Sequence, residues 1–228
     1  MKYYYYPGCT LHTKSKNFDT SGRNCAKALG IELTELPDWT CCGTVFPMAV
    51  DNMMNLVSPV RNLAKAKEGK QDMVVLCAFC YNVFKRTNRV LSTDPDARQK
   101  INDFLREDVT EPYQGEVRSL HLLEVLRDEL GFEKLETMTK KKLGIKVAPY
   151  YGCMLLRPGK EMELDDPEQP TILHDLLTAI GAETIDFPYK TECCSSYLTV
   201  NELDTTVRLA HSILESAVKN GAEAITVS

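Results

Sequence analysis

No stretch of this 228-residue chain is apolar for long enough to cross a bilayer. Its longest apolar run, Met73 to Tyr81, falls far short of the ~20 residues that a spanning helix needs. The opening MKYYYYPGC has none of the apolar core of a secretory leader. Basic residues are not in excess either. Lys and Arg number 27 against 32 Asp and Glu, interspersed, and the net charge of −5 offers a nucleic acid no electropositive surface. These absences predict a soluble, cytoplasmic protein with no membrane span and no nucleic-acid partner. With 43% hydrophobic residues the chain can still bury one large core or two modest ones.

Cysteine, by contrast, is abundant. The chain has nine, an odd number, and a cytosolic chain does not ordinarily keep structural disulfides. The adjacent Cys41 and Cys42 also pair poorly with each other, because a bridge would strain the peptide between them. Reduced thiolates binding metal fit better. Any one cysteine could be a plain buried thiol, but eight fall into two aligned sets. Thirty-one residues separate Cys9 from Cys41-Cys42, and 34 separate that pair from Cys77-x-x-Cys80. Later, Cys153 is followed after 39 residues by Cys193-Cys194. Carrying the step of 35 from Cys42 to Cys77 over to Cys194 points to position 229, one past Ser228. The expectation is that the full-length gene continues with Cys-x-x-Cys at positions 229 and 232, a natural stop after Ser228 being the contrary outcome.

The pattern along the chain alternates strand and helix, and it does so twice. Strands are expected over 3–6, 31–36 and 73–76, with helices over 20–29 and 51–66. The later half repeats this order, with strands over 146–151, 183–187 and 224–227 and helices over 172–180 and 202–219. Tyr-Pro-Gly-Cys9 matches Tyr-Tyr-Gly-Cys153, and Ala28-Leu29-Gly30 matches Ala179-Ile180-Gly181. Between the halves, helices are expected over 97–105 and 119–130. The second carries an apolar stripe of Leu120, Leu123, Leu126 and Leu130 that would pack between the halves. The charged stretch 133–142 is the expected junction, giving domains 1–142 and 143–228. The fold class is therefore α/β: two pseudo-repeated, Rossmann-like halves, each a parallel sheet with cysteine ligands at the carboxyl ends of its strands.

Strand ends are where an open α/β sheet forms its ligand crevice. Cys9, Cys41-Cys42 and Cys77 all follow strands, so they can converge although distant in sequence. Cys80 opens a helix, where unpaired N–H groups and the helix dipole favour a thiolate or an anionic cluster. Thiolates in such a set are usual iron–sulfur ligands. Zinc and a cubane cluster each take four ligands, so a fifth thiolate suggests a bridge or an iron of altered coordination.

At these residues the chain resembles the B subunit of heterodisulfide reductase and its relatives, the cysteine-rich CCG-domain family. Tyr-Pro-Gly-Cys9, Cys41-Cys42-Gly43 and Cys77-x-x-Cys80 carry the resemblance, which covers nearly the whole chain. It implies a noncubane [4Fe-4S] cluster in each motif copy, facing a substrate disulfide from either side. Cys9, Cys41, Cys42, Cys77 and Cys80 would hold the first; Cys153, Cys193 and Cys194 would hold part of the second, with zinc there as an alternative. It also implies the reaction: a disulfide, in methanogens that of coenzyme M and coenzyme B, is reduced to two thiols, each sulfur capturing an iron. Electrons would come from the ferredoxin-like iron–sulfur C subunit and the flavin-containing A subunit of such a complex. Ser195-Ser196 stands where the first copy has Gly43, so the second loop is expected to differ in backbone shape.

Other residues are read more plainly. Cys25 fits neither set and is expected to be a small buried hydrophobe. His12, three residues after Cys9, could donate a proton to a departing thiolate or simply sit at the surface. His121, His174 and His211 are expected to be structural. Arg157 and Lys160 could attract an anionic substrate or belong to a solvated loop. Three functions compete: a disulfide-reducing enzyme component, an electron-transfer module without its own substrate, and a zinc-dependent structural unit.

Overall fold

Four successive tyrosines open strand β1 (Lys2–Tyr6) of the computed structural model, which describes residues 1–44 and 53–228. Period-two alternation cannot expose half of them, since Tyr3, Tyr5 and Tyr6 are all buried. β1 lies inside a sheet with parallel neighbours on both sides, where strands are covered on both faces and read as continuous apolar runs. Its neighbours are β2 (Glu32–Glu35) and β3 (Met73–Val75), and β4 (Ser119–His121) follows β3, for a sheet order of β2-β1-β3-β4. Every pairing is parallel. Helices α1 (Gly8–Thr13) and α2 (Lys16–Ala28) join β1 to β2. Helix α3 (Val57–Glu68) leads into β3, α4 (Ala78–Thr93) leaves it, and α5 (Pro95–Leu105) follows, N-capped by Asp94. The expected helix at 51–66 begins partly outside the described residues, and the helical part seen is a 3-10 turn, Met53–Leu56, running into α3.

The second unit repeats the plan. A short helix α6 (Phe132–Met138) precedes β5 (Lys146–Pro149), then come α7 (Gly159–Met162), α8 (Ile172–Ala179), β6 (Glu183–Thr184), α9 (Leu203–Lys219) and β7 (Ala224–Thr226). The order β6-β5-β7, all parallel, matches β2-β1-β3. The register matches as well. Lys2 pairs with Glu32 and Lys146 with Glu183, each with an exposed ion pair across the strands. Tyr4 pairs with Met73 as Ala148 pairs with Ile225. Glycines at matched turns share a left-handed φ: +75° at Gly30 and +76° at Gly181.

Two expectations are corrected. Residues 119–130 are not one helix. Ser119–His121 extends the first sheet, and a helical turn (Leu122–Glu124) then passes into a π-helical segment (Val125–Leu130). Pairing with the buried edge of β3 satisfies backbone groups that a helix begun there would leave beside an open sheet edge. The compact units are Met1–Leu122 and Leu123–Ser228, so residues 123–142 go with the second unit. There α6 packs on α8, and the Leu143 amide donates to the Ile180 carbonyl at 3.0 Å. Among the described residues no helix is long and apolar enough to cross a membrane.

Candidate metal centre

Each cysteine of the first set stands beyond a strand end, either in the loop that follows or in the first turn of the next helix. Cys9 lies in the first turn of α1, directly after β1. Gly8 before it has a φ of +71°, and a Cβ there would come within 2.9 Å of the Cys80 sulfur and 3.3 Å of the Tyr6 ring. Only glycine lets the end of β1 approach Cys80 this closely. Cys77 ends the extended run after β3 and caps α4, whose first turn carries the buried Cys80.

The vicinal pair is held by three neighbouring groups. The Tyr6 hydroxyl donates to the Thr40 carbonyl at 2.7 Å. Asn62, buried on α3, bonds the same residue twice: its amide donates to the Thr40 carbonyl and its oxygen accepts from the Thr40 N–H, both at 2.9 Å. Ser58, also on α3, donates to the Cys41 carbonyl. Gly43 then turns the chain with a φ of +77°.

In this cradle the Cys42 and Cys80 sulfurs are 3.5 Å apart, and the Thr44 hydroxyl is 3.1 Å from Cys42. Two thiolates on one tetrahedral ion stand about 3.8 Å apart when each metal–sulfur bond is ~2.3 Å, so this spacing suits two sulfurs on a shared metal. Side-chain interactions with Cys41 first and then Cys80 draw the Cys42 thiol down to about 3, against burial. Cys41 and Cys80 are correspondingly pushed up. The Cys80 thiol, helped by amides at the start of α4, lowers Cys77 to about 7. Cys9 is exposed, but close enough for its charge to act on Cys41 and Tyr6. The first five cysteines are thus one electrostatic group.

The second set repeats the supports of the first but brings a different pair of sulfurs together. The Cys153 and Cys193 sulfurs are 3.6 Å apart, and the Tyr150 hydroxyl donates to the Glu192 carbonyl at 2.7 Å. Glu192 immediately precedes the vicinal pair, as Thr40 does. Gly152 has a φ of +63°, and a Cβ there would meet the Tyr150 hydroxyl at 3.1 Å. Burial first, then the neighbouring Cys193, pushes Cys153 up to about 12. Cys194 packs on a small core of Ala148, Phe187, Ile213 and Ala217. Ser195 does not alter the loop as expected. It takes the left-handed conformation itself, with φ +55°, and its N–H points at the Cys193 sulfur at 3.3 Å. Among the described residues no three His, Cys, Asp or Glu side chains are grouped as one bound metal ion would require; the closest sulfurs meet in pairs.

All nine cysteines are free. Cys25 is exposed on α2, not buried, because that helix turns Gly22 and Ala26 inward. His12 is exposed on α1, with its ring edge-on to Trp39 at 5.4 Å. Arg157 is not free for a substrate: it donates to the Thr191 carbonyl at 3.2 Å, steadying the second vicinal loop, and pairs with Glu168. His174 shares a 2.8 Å hydrogen bond with Tyr151. His121 is buried on β4, and its Nε2 bonds the Leu76 carbonyl at 3.0 Å. Sequence reasoning did not find Tyr6, Tyr150, Asn62 and Ser58. The repeated Tyr before Gly-Cys was a visible signal for the tyrosines, but their carbonyl partners are 34 and 42 residues away.

Fold and site together define an α/β protein made of two copies of one cysteine-bearing unit. The cysteine-rich domain family CCG matches residues 3–85 and 147–228, and the chain belongs to that family. It is 31% identical over 222 residues to the 8-methylmenaquinol:fumarate reductase membrane anchor subunit of Wolinella succinogenes, spanning 97% of this chain and 76% of that protein. It is 32% identical over 198 residues to a protein of Archaeoglobus profundus described as similar to the B subunit of heterodisulfide reductase, spanning 85% and 66%. The B subunit of the ferredoxin/F420H2-dependent CoB-CoM heterodisulfide reductase of Methanosarcina acetivorans is 30% identical over 191 residues, spanning 83% and 63%. Among solved structures, a hypothetical protein from Helicobacter pylori matches with a TM-score of 0.72 at 16% identity, over 97% of this chain and 40% of that one. That last likeness concerns the fold alone.

Proposed function

We propose that this chain is the iron–sulfur subunit of an oxidoreductase complex that reduces a small-molecule disulfide to two thiols. The family and the names of the relatives support an oxidoreductase subunit with iron–sulfur chemistry. The observation that carries the reading is the duplicated placement of a strand-end cysteine and a vicinal pair in each unit, with the Cys42 and Cys80 sulfurs 3.5 Å apart in the first and the Cys153 and Cys193 sulfurs 3.6 Å apart in the second. Cys9, Cys41, Cys42, Cys77 and Cys80 would hold a noncubane [4Fe-4S] cluster, and Cys153, Cys193 and Cys194 would bind at the second site. The donor set fits such a group by number, since the five free thiols of the first unit exceed the four of a closed zinc site. Bound there, the cluster supplies electrons and open iron sites for sulfur.

The chain's own residues bind and orient. Buried strands fix Cys9 and Cys77, α3 and Tyr6 fix Cys41 and Cys42, and α4 fixes Cys80. His12, on the same short helix as Cys9, would give a proton to a departing thiolate. The reaction consumes two electrons and two protons per disulfide; the electrons come from partner proteins, one ferredoxin-like with iron–sulfur clusters and one carrying flavin. One observation favours a second reading. The relative named for a methylmenaquinol:fumarate reductase belongs to an enzyme not named for a disulfide, which fits a component that only relays electrons.

Anaerobic purification with iron, zinc and acid-labile sulfide analysis tests the cofactor. Cluster spectra recorded with and without added thiols and disulfides then test the reaction. Iron and sulfide, with spectra that respond to a thiol, are expected. Zinc without labile sulfide would overturn both redox readings, and spectra indifferent to every thiol tried would leave the relay.

A further inference from the structure

Of the four tyrosines at 3–6, the second copy keeps one. In the matched strand the sequence is Val147-Ala148-Pro149-Tyr150, so only the residue before the Pro-Gly or Tyr-Gly turn stays Tyr. Burial alone does not explain this, because the two rings sit differently: Tyr6 is fully buried and Tyr150 only partly. The hydroxyl is what they share. Each donates at 2.7 Å to the carbonyl directly preceding a vicinal cysteine pair, across 34 residues in one unit and 42 in the other.

The ring of Tyr6 also touches each piece of chain that brings a sulfur. It follows β1 into Gly8-Cys9, meets Trp39 of the vicinal loop edge-on at 5.4 Å, and meets Phe84 of α4 at 4.8 Å. Phe84 lies one turn beyond Cys80 on the same buried face of α4. In both units the glycine preceding the cysteine runs so close to the tyrosine that a Cβ would lie 3.3 or 3.1 Å from it. We infer that Tyr6 and Tyr150 are positioning residues: each phenol pins its vicinal cysteine loop to the strand that carries the first cysteine, and so sets the spacing of the sulfurs. Burial foremost, and then the nearby cysteines, push both phenols well above their ordinary range. They therefore stay protonated beside a negatively charged group and remain donors.

The units differ in one respect that gives the idea a quantitative edge. Asn62 also donates to the Thr40 carbonyl, whereas the Glu192 carbonyl receives no second side-chain donor of this kind among the described residues. The Thr40 carbonyl thus keeps a donor when the hydroxyl is lost, and the exposed Glu192 carbonyl can take water instead, so either loss should be modest.

The inference rests on the proposed metal-binding role, so its test has a metal-free readout. A monosubstituted trivalent arsenical such as phenylarsine oxide bridges two thiols only when their sulfurs are close. Its binding to the reduced, metal-free full chain would be titrated by thiol protection and mass spectrometry, peptide by peptide. Tyr150→Phe should weaken arsenical capture at Cys153 and Cys193 a few-fold while leaving Cys42 and Cys80 unchanged. Tyr6→Phe should weaken the Cys42–Cys80 pair only a few-fold, and adding Asn62→Ala should bring the loss to about tenfold. Both phenylalanines keep the ring, so circular dichroism should stay native. Tyr4→Phe is the control and should change neither pair. Capture at both pairs as in the unsubstituted chain, in both phenylalanine variants, would overturn the inference. If the unsubstituted chain takes up no iron and sulfide, the proposed function falls, and the arsenical titration still judges the tyrosines.

Discussion

At the scale of single residues, left-handed backbone positions separate the site's steric demands from its conformational ones. Gly8 and Gly43 have similar φ, +71° and +77°, yet a Cβ at Gly8 would strike the Cys80 sulfur while one at Gly43 would meet nothing within 4 Å among the described residues. Gly8→Ala should therefore abolish iron and sulfide uptake at the first site. Gly43→Ser should cost only about 1–2 kcal/mol of backbone strain and keep the cluster, since Ser195 already occupies the matching place at φ +55°. Iron analysis and urea denaturation of the two variants check the contrast. His121 makes a pH prediction. Burial lowers it from 6.5 to about 4, and its Nε2 must carry the proton it donates to Leu76. The unfolded chain then binds more protons between those values, so the stability His121 contributes is present above pH 6.5 and is lost as pH falls through about 4. The full loss is about 3 kcal/mol. Urea midpoints measured from pH 7 downward should fall, and His121→Gln should flatten that fall. His174, also lowered by burial, acts in the same direction.

Among the elements, α3 and α9 occupy the same place in the repeat but are covered differently. α3 buries Val57, Val60, Leu63, Ala64 and Ala66, with α4 and α5 packed against it. α9 buries Ile213, Ser216 and Ala217 and leaves Leu203, Val207, Leu214 and Val218 exposed. Leu63→Ala should cost about 2–5 kcal/mol, the range for a buried leucine. Leu214→Ala should stay within about 0.5 kcal/mol. Thermal or urea unfolding measures both. β4 belongs at this scale too. Its middle residue, Leu120, opens a leucine stripe at helical spacing, but a free parallel edge on β3 captured the segment as strand. Local periodicity cannot register that edge, because the partner Val74 lies 46 residues earlier in the chain.

For the whole molecule, duplication means two sites with separate local supports. Cys42→Ser should remove the metal held by the first five cysteines and leave arsenical capture at Cys153 and Cys193 unaltered. Cys193→Ser should do the reverse, and Cys25→Ser should change neither. Effects at sites that share no partner add, so iron content and peptide-resolved capture in the double variant should equal the combined single losses. A double variant that departs from additivity would show that the two sites are coupled.

What the sequence determined alone is the plan. Cysteine spacing, the Tyr-x-Gly-Cys repeat and the helix-ending glycines reveal two α/β copies with thiols at strand ends, because these signals are local and recur. Tertiary structure decided the rest. Which sulfurs touch, that Tyr6 and Tyr150 reach a carbonyl beyond the next strand, that Asn62 holds the same residue, and that residues 119–121 are strand all depend on chain segments meeting from far apart. Pairings of that kind are set by which strand edges and carbonyls remain open once the sheet has formed, and no short stretch of sequence encodes them.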